Sequence, residues 1–345
     1  MRPPIFFLAA LLFSATAFGA VEFVAVPTPG NGKLSDALTD EAGAIHLVYQ
    51  KGADVFYAKS SDDGATFSTP LRVNSATGPA AGGMFRGPAL ALGKGGTVHV
   101  IWYPDQAKLP AKADWGVRYA RLDAGATAFT AEQNIGRRPS DNYSLAADAS
   151  GNVAVVWTAG ALTIARSRDN GATFQPAENI PGADPCECCA TRAVFTAQGR
   201  LSVLYRDKKD NDRVMSIADV PATGTASHWK LSDQTWPIKA CPMTGSFITR
   251  AATGLLAAWE NTGNVYFGLV KTGSPATATM VGRGKYPVAL PASATGTGIA
   301  WKTGRTLNWK SFDTNGASTS GSMETPNADR FGAVVTKSGK VLLFE

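Results

Sequence analysis

Four cysteines hold the densest chemistry in the chain. Cys186, Cys188 and Cys189 sit together in Asp184-Pro185-Cys186-Glu187-Cys188-Cys189, and Cys241 follows in Cys241-Pro242-Met243. Thiols at this spacing can do two things. They can oxidise in pairs: four cysteines allow three pairings, and each sends one bond to Cys241 and closes the other within 186–189. A bond between the adjacent Cys188 and Cys189 would need a strained ring. They can instead bind a soft metal: three or four thiolates beside Met243 suit Cu(I), or Zn if tetrahedral. The C-x-C-C order differs from the paired C-x2-C of common zinc sites. The three histidines, His46, His99 and His228, fall outside the cluster, and His46 and His99 read as packing residues. Copper or zinc is therefore an option at the thiols, and no cofactor is required elsewhere.

A second set of reactive residues is scattered singly: Arg86, Asp105, Asp114, Glu260, Tyr286 and Arg330. Carboxylates, guanidiniums and phenols in one pocket suit a sugar or a small anion. Whether they share a pocket depends on the elements that carry them.

Those elements are short strands. Seven apolar runs end in an aromatic: IHLVY, VHVIW, VAVVW, LSVLY, LLAAW, TGIAW and KVLLF, closing at Tyr49, Trp102, Trp157, Tyr205, Trp259, Trp301 and Phe344. Runs of β-branched and aromatic residues bounded by Gly, Asp and Pro are strand signals. The closing aromatics recur every 42 to 55 residues, which is the period of a β-propeller blade. A small-residue strand precedes each run, as at Ser35–Thr39 or Arg192–Thr196, and suits the crowded axis. A third strand follows six of them, as at Val55–Lys59, and an outer strand follows that, as at Gln175–Ile180. The expected fold is all-β, a propeller of seven blades, with six as the alternative if a unit near Ile299 or Leu342 is not a blade. The last unit has two strands of its own, and an open edge must be covered, so Val21–Val26 is expected to close the ring there.

A ring of such blades sorts its loops. Loops into the inner strands and loops after the aromatics share one face. The six scattered residues and all four cysteines fall on it, with the thiols in equivalent loops of adjacent blades.

The opposite face carries a repeated turn. Ser60, Asp62, Gly64, Thr66 and Phe67 recur as Ser167, Asp169, Gly171, Thr173 and Phe174. Asp accepts hydrogen bonds from its own turn, and Gly takes the positive φ. Weaker copies lie at Asp123 and Asp313. These Asp residues are read as structural.

The turns resemble the Asp boxes, or BNR repeats, of the sialidase superfamily, with Phe for the more usual Trp, and the repeat spans nearly all of the chain beyond the leader. The resemblance implies a sialidase-like propeller acting on a glycan or other anionic ligand and, if it is an enzyme, a glycoside hydrolase of exo-α-sialidase type. Phe85-Arg86-Gly87-Pro88 is similar to the family's Phe-Arg-Ile-Pro motif, although it opens the second unit rather than the first. By that resemblance Arg86 would clamp a carboxylate, Asp105 or Asp114 would be acid/base, Glu260 and Tyr286 the nucleophile pair, and Arg330 a second guanidinium. The C-x-C-C cluster resembles one found in exported bacterial sialidase-like proteins. The alternative is a non-catalytic periplasmic propeller whose cysteines form a structural disulfide or soft-metal site and serve as a binding scaffold.

Residues 1–20 read as a cleaved signal peptide: Arg2, an apolar run from Ile5 to Phe13, then small residues. The run is too short to span a membrane. A single domain over 21–345, exported to the periplasm or secreted, without membrane anchor and monomeric, is the expectation. Loss of Arg2 lowers the formal charge from +6 to +5. The basic residues are dispersed, which argues against nucleic acid.

Overall fold

The aromatic-ended runs are the second strands of seven sheets. The structure, a computed structural model, describes residues 22–75, 80–81, 87–109, 111–137, 141–251, 254–293, 296–313, 316–325 and 331–344. The expected signal peptide, Arg86 and Arg330 lie outside these residues. Blade 1 runs Lys33–Thr39, Ile45–Lys51, Asp54–Ser60 and Leu71–Arg72 from the axis outward. Five further four-stranded sheets repeat that order, with inner strands at Ala89–Leu92, Asp141–Ala147, Arg192–Phe195, Ser246–Ala251 and Lys285–Ser293. Consecutive inner strands touch around the whole circle, and that of blade 7, Gly332–Val335, touches that of blade 1. The ring is closed with seven blades.

Phe23–Val26 covers the open edge of blade 7. It pairs in parallel with Val341–Phe344, Phe23 opposite Val341 and Val26 opposite Phe344. Its edge groups are thereby paired, as the two-stranded last unit required.

Each of seven buried clusters lies between two neighbouring blades. Side chains alternate across a strand, so a blade offers one apolar face to each neighbour. Trp102, Trp157, Tyr205, Trp259 and Trp301 each join the cluster shared with the preceding blade. Phe344 joins the cluster between blades 7 and 1 instead.

The two Asp turns have the same internal bonds. Ser60 Oγ donates to Asp62 Oδ1 (2.7 Å) and accepts from Gly64 N (2.9 Å), while Thr66 N and Oγ1 donate to the Asp62 carboxylate (2.9 and 2.6 Å). Ser167, Asp169, Gly171 and Thr173 repeat this at 2.7, 2.8, 2.9 and 2.6 Å. The Thr hydroxyl and amide hold both carboxyls down to about 2. Gly171, at φ +78°, also packs where any Cβ would overlap the Tyr119 hydroxyl of blade 2. The turns therefore lock one blade onto the preceding one.

Outer strands in blades 1 to 3 are only two residues long. The expected outer strand Gln175–Ile180 is regular strand only at Glu178–Asn179, while Gln175 N and Ile180 N at its two ends also donate to Arg166 O (2.8 Å) and Leu162 O (2.7 Å). In blade 4 the opposite holds: Leu201–Lys209, Asp212–Val220 and Ser227–Pro237 form a long arm over the cysteine-bearing face.

Candidate functional site

Three features occupy the face opposite the Asp turns: a plugged axis, a sulfur cluster and an open acidic cleft.

Asp36 of blade 1 and Arg192 of blade 4 meet across the axis, Arg192 Nη1 donating to Asp36 Oδ2 at 3.2 Å. The same carboxylate accepts from Leu90 N (3.3 Å) and Ala37 N (3.2 Å). Arg192 lies over the Phe247 ring at 4.9 Å. The cavity left beside the pair, lined also by Tyr286 and Phe331, is about 50 Å³. That holds a few waters rather than a sugar.

The sulfur cluster straddles blades 4 and 5. Cys188 and Cys241 form a disulfide, with Cα atoms 6.3 Å apart. Cys186 and Cys189 are buried free thiols, their sulfurs 3.5 Å apart, and Cys186 Sγ lies 3.8 Å from Cys241 Sγ. All four sulfurs thus converge, as the repeat register requires. Cys186, Cys189 and Cys241 place their sulfurs within 4.8 Å of one another, close enough to hold a metal ion. The overlapping motif conceals a spacing that the sequence reading missed. Cys186 and Cys189 are themselves a C-x2-C pair, closed by a Cys189 N to Cys186 O bond of 3.1 Å.

The blade 4 arm builds the wall of this cluster. Cys186 N donates to Arg206 O (2.8 Å), and Lys208 N to Asp184 O (2.7 Å), which extends the sheet onto the cysteine loop. Arg206 is 1% exposed. Its guanidinium donates to Glu260 O (2.5 Å), Thr244 Oγ1 (3.1 Å) and Asn261 Oδ1 (3.4 Å) and lies 5.4 Å from the Trp236 ring centre. Buried Arg206 and Arg213 both leave Nε without a partner. Donation from the Cys189 thiol, aided by the Arg213 charge, draws Cys186 down to about 6. As the donor to Cys186, and through burial, Cys189 is pushed up.

Between blades 2 and 3 lies a cleft of about 510 Å³, lined by Tyr103, Asp105, Gln106, Asp141, Thr158 and Glu187 among others. Asp105 accepts from Ala107 N (3.1 Å), and Lys108 approaches it at 3.7 Å. Gln106 donates to the Tyr103 hydroxyl, and Tyr103 stacks on Tyr143 of the next blade at 6.1 Å. Glu187, inside the cysteine motif, is held by Asn142 Nδ2 donating to its carbonyl. Sequence reasoning missed Glu187 because the flanking cysteines absorbed the motif.

The remaining expected residues are dispersed. Asp105 lines the cleft and Tyr286 the axial cavity, and among the described residues the two cavities share no lining residue. Glu260 is 1% exposed and lines neither; burial pushes its carboxyl up to about 7 against the pull of Lys285 and Arg206. Asp114 lies in the short helix Lys112–Asp114, its carbonyl accepting from Arg118 Nη2 at 2.9 Å. Each histidine meets a tyrosine: His46–Tyr57 and His99–Tyr119 at 2.7 Å, and His228–Tyr205 at 3.3 Å.

The fold and this face define a seven-bladed β-propeller carrying a cross-blade disulfide. No protein-family model and no curated protein sequence matches the chain. Among solved structures it is similar to a protein of unknown function from Dyadobacter fermentans, with 14% identity over 87% of this chain and 96% of that one and a TM-score of 0.56. It is also similar to a catalytically inactive virginiamycin B lyase from Staphylococcus aureus with quinupristin, with 12% identity over 91% and 95% and a TM-score of 0.56. A streptogramin B lyase aligns at 13% identity over 90% and 89%, with a TM-score of 0.55. At such identities the likeness is one of fold.

Proposed function

We propose that this chain is an exported, monomeric propeller that binds a carbohydrate in the cleft between blades 2 and 3. The observation that carries the reading is the lining: three carboxylates, Asp105, Asp141 and Glu187, with the amide of Gln106 and the hydroxyl of Thr158. Carboxylates and amides accept hydrogen bonds from neighbouring sugar hydroxyls, and charge-assisted bonds are the stronger ones. Among the described lining residues there is no Lys or Arg. The lining carboxylates suit a polyhydroxylated ligand whose hydroxyls donate to them; a sialoside is the form for which the family resemblance assigns Arg86 and Arg330. A lyase reading, by analogy with the S. aureus neighbour, has less support. That neighbour is a His-to-Ala inactive form, whereas all three histidines here are engaged by tyrosines.

Hydrolysis, in this reading, uses Asp105 as acid/base; the Glu260–Tyr286 pair belongs to the stricter sialidase version. Neutral fluorogenic glycosides and a fluorogenic sialoside test both. Turnover lost in Asp105→Asn supports hydrolysis in the cleft, and sialoside turnover lost in Tyr286→Phe supports the sialidase version. Absence of turnover together with absence of retention on a glycan array removes the reading.

A second reading rests on the convergence of the sulfurs. With the disulfide reduced, the cluster would hold Cu(I) or Zn and the propeller would serve as a scaffold. Metal content and a free-thiol count on anaerobically purified protein test it.

A further inference from the structure

We propose that the four cysteines form a thiol–disulfide exchange centre, in which one disulfide moves between the cross-blade position, Cys188–Cys241, and the C-x2-C position, Cys186–Cys189. Two distances carry the inference. Cys186 Sγ stands 3.8 Å from Cys241 Sγ, one end of the existing disulfide. Cys189 Sγ stands 3.5 Å from Cys186 Sγ. An attacking sulfur and a resolving sulfur are therefore both in place beside the bond they would exchange with.

The step balances within the chain. Cys186, as thiolate, attacks Cys241 Sγ. The Cys188–Cys241 bond breaks, and Cys188 leaves with the electron pair and takes up a proton. Cys189 then gives up its proton and attacks Cys186 Sγ, and Cys241 leaves as thiolate and is protonated in turn. One disulfide is lost and one gained, two protons are released and two taken up, and no outside oxidant is used. Exchange of this kind depends on a thiolate attacker and on access. The buried guanidiniums of Arg206 and Arg213 supply positive charge beside the sulfurs.

Burial divides the roles. Cys186 and Cys189 are buried, while Cys188 and Cys241 are half-exposed. An outside thiol or disulfide reaches the outer pair directly and the inner pair only by relay. The fitting co-substrate is the disulfide or dithiol of a small thiol or a partner protein. Moving the bond inward also unties the loop before blade 4 from the loop before blade 5.

The test is equilibration of the full chain in glutathione buffers of graded ratio, followed by acid quench, alkylation and disulfide mapping by fragmentation mass spectrometry. The expected result is that about a tenth or more of the one-disulfide species carries Cys186–Cys189, with Cys188 and Cys241 alkylated. Cys189→Ser stops the relay after its first step, so Cys186–Cys241 accumulates and the alkylated thiol is Cys188. A one-disulfide species that is always Cys188–Cys241, with Cys186 alone alkylated in Cys189→Ser, overturns the proposal. So does stoichiometric zinc or copper on four thiols at every ratio.

Discussion

Asp36 and Arg192 lie 156 residues apart in sequence and 3.2 Å apart across the axis of the propeller. They join blades 1 and 4 and close the channel that the ring would otherwise leave open. Among the described residues the roomiest space on this face lies off the axis, between blades 2 and 3.

Breaking that pair should cost stability. Asp36 is 6% exposed and the Arg192 side chain 23%. Removing one partner of a fully buried pair costs ~3–5 kcal/mol; with the arginine partly solvated, about 2 kcal/mol is expected for Arg192→Ala. Urea unfolding of Arg192→Ala, Asp36→Asn and the double variant measures it. The double variant should lose less than the sum of the two.

The Asp turns predict acid behaviour. Folded Asp62 and Asp169 sit at about 2, below the ordinary 3.8. A depressed carboxyl contributes stability that is whole above 3.8 and lost as pH falls through about 2. Carboxyl carbon NMR should show both midpoints near 2. Asp169→Ala should unfold more easily at neutral pH by about 1 kcal/mol and lose part of the acid slope.

Glu260 predicts the reverse slope. Its folded value of about 7 exceeds the ordinary 4.5 because burial disfavours the ion. Its stabilising contribution is whole below 4.5 and lost as pH rises through about 7. His99, drawn down to about 4 by burial, favours stability as pH rises over much the same window, so the slope must be read as a difference. Glu260→Gln should match the wild type near pH 4, below the ordinary 4.5, and exceed it at pH 8 by about 3 kcal/mol.

The cross-blade disulfide closes a 53-residue separation. On a chain-entropy account that constraint is worth about 4 kcal/mol. Cys241→Ser should lower the urea midpoint accordingly without altering the far-ultraviolet spectrum.

The ring was readable because every blade carries an aromatic-ended strand and four of the seven carry an Asp turn or a weaker copy of it. The aromatic ends of VHVIW or VAVVW fix the second strand, and the Asp turn fixes the side of the sheet. The meeting of Cys241 with Cys186–Cys189 follows from those marks, since equivalent loops of adjacent blades must be neighbours. What stayed hidden depended on contacts rather than period. Arg206 to Lys209 look like a polar loop, yet pairing with Asp212 to Met215 keeps them in strand and buries Arg206. The Asp36–Arg192 contact exists only once the ring closes. The cleft draws Glu187 from blade 4's loop to Asp105 of blade 2, a juxtaposition that no local spacing encodes.

Calorimetric titration with neutral oligosaccharides tests ligand binding in that cleft most directly. Saturable binding to the wild type is predicted, weakened tenfold or more, about 1.4 kcal/mol, in Glu187→Gln and in Asp105→Asn, with unchanged unfolding midpoints. Binding that is indifferent to both substitutions, or no heat from any oligosaccharide, contradicts it.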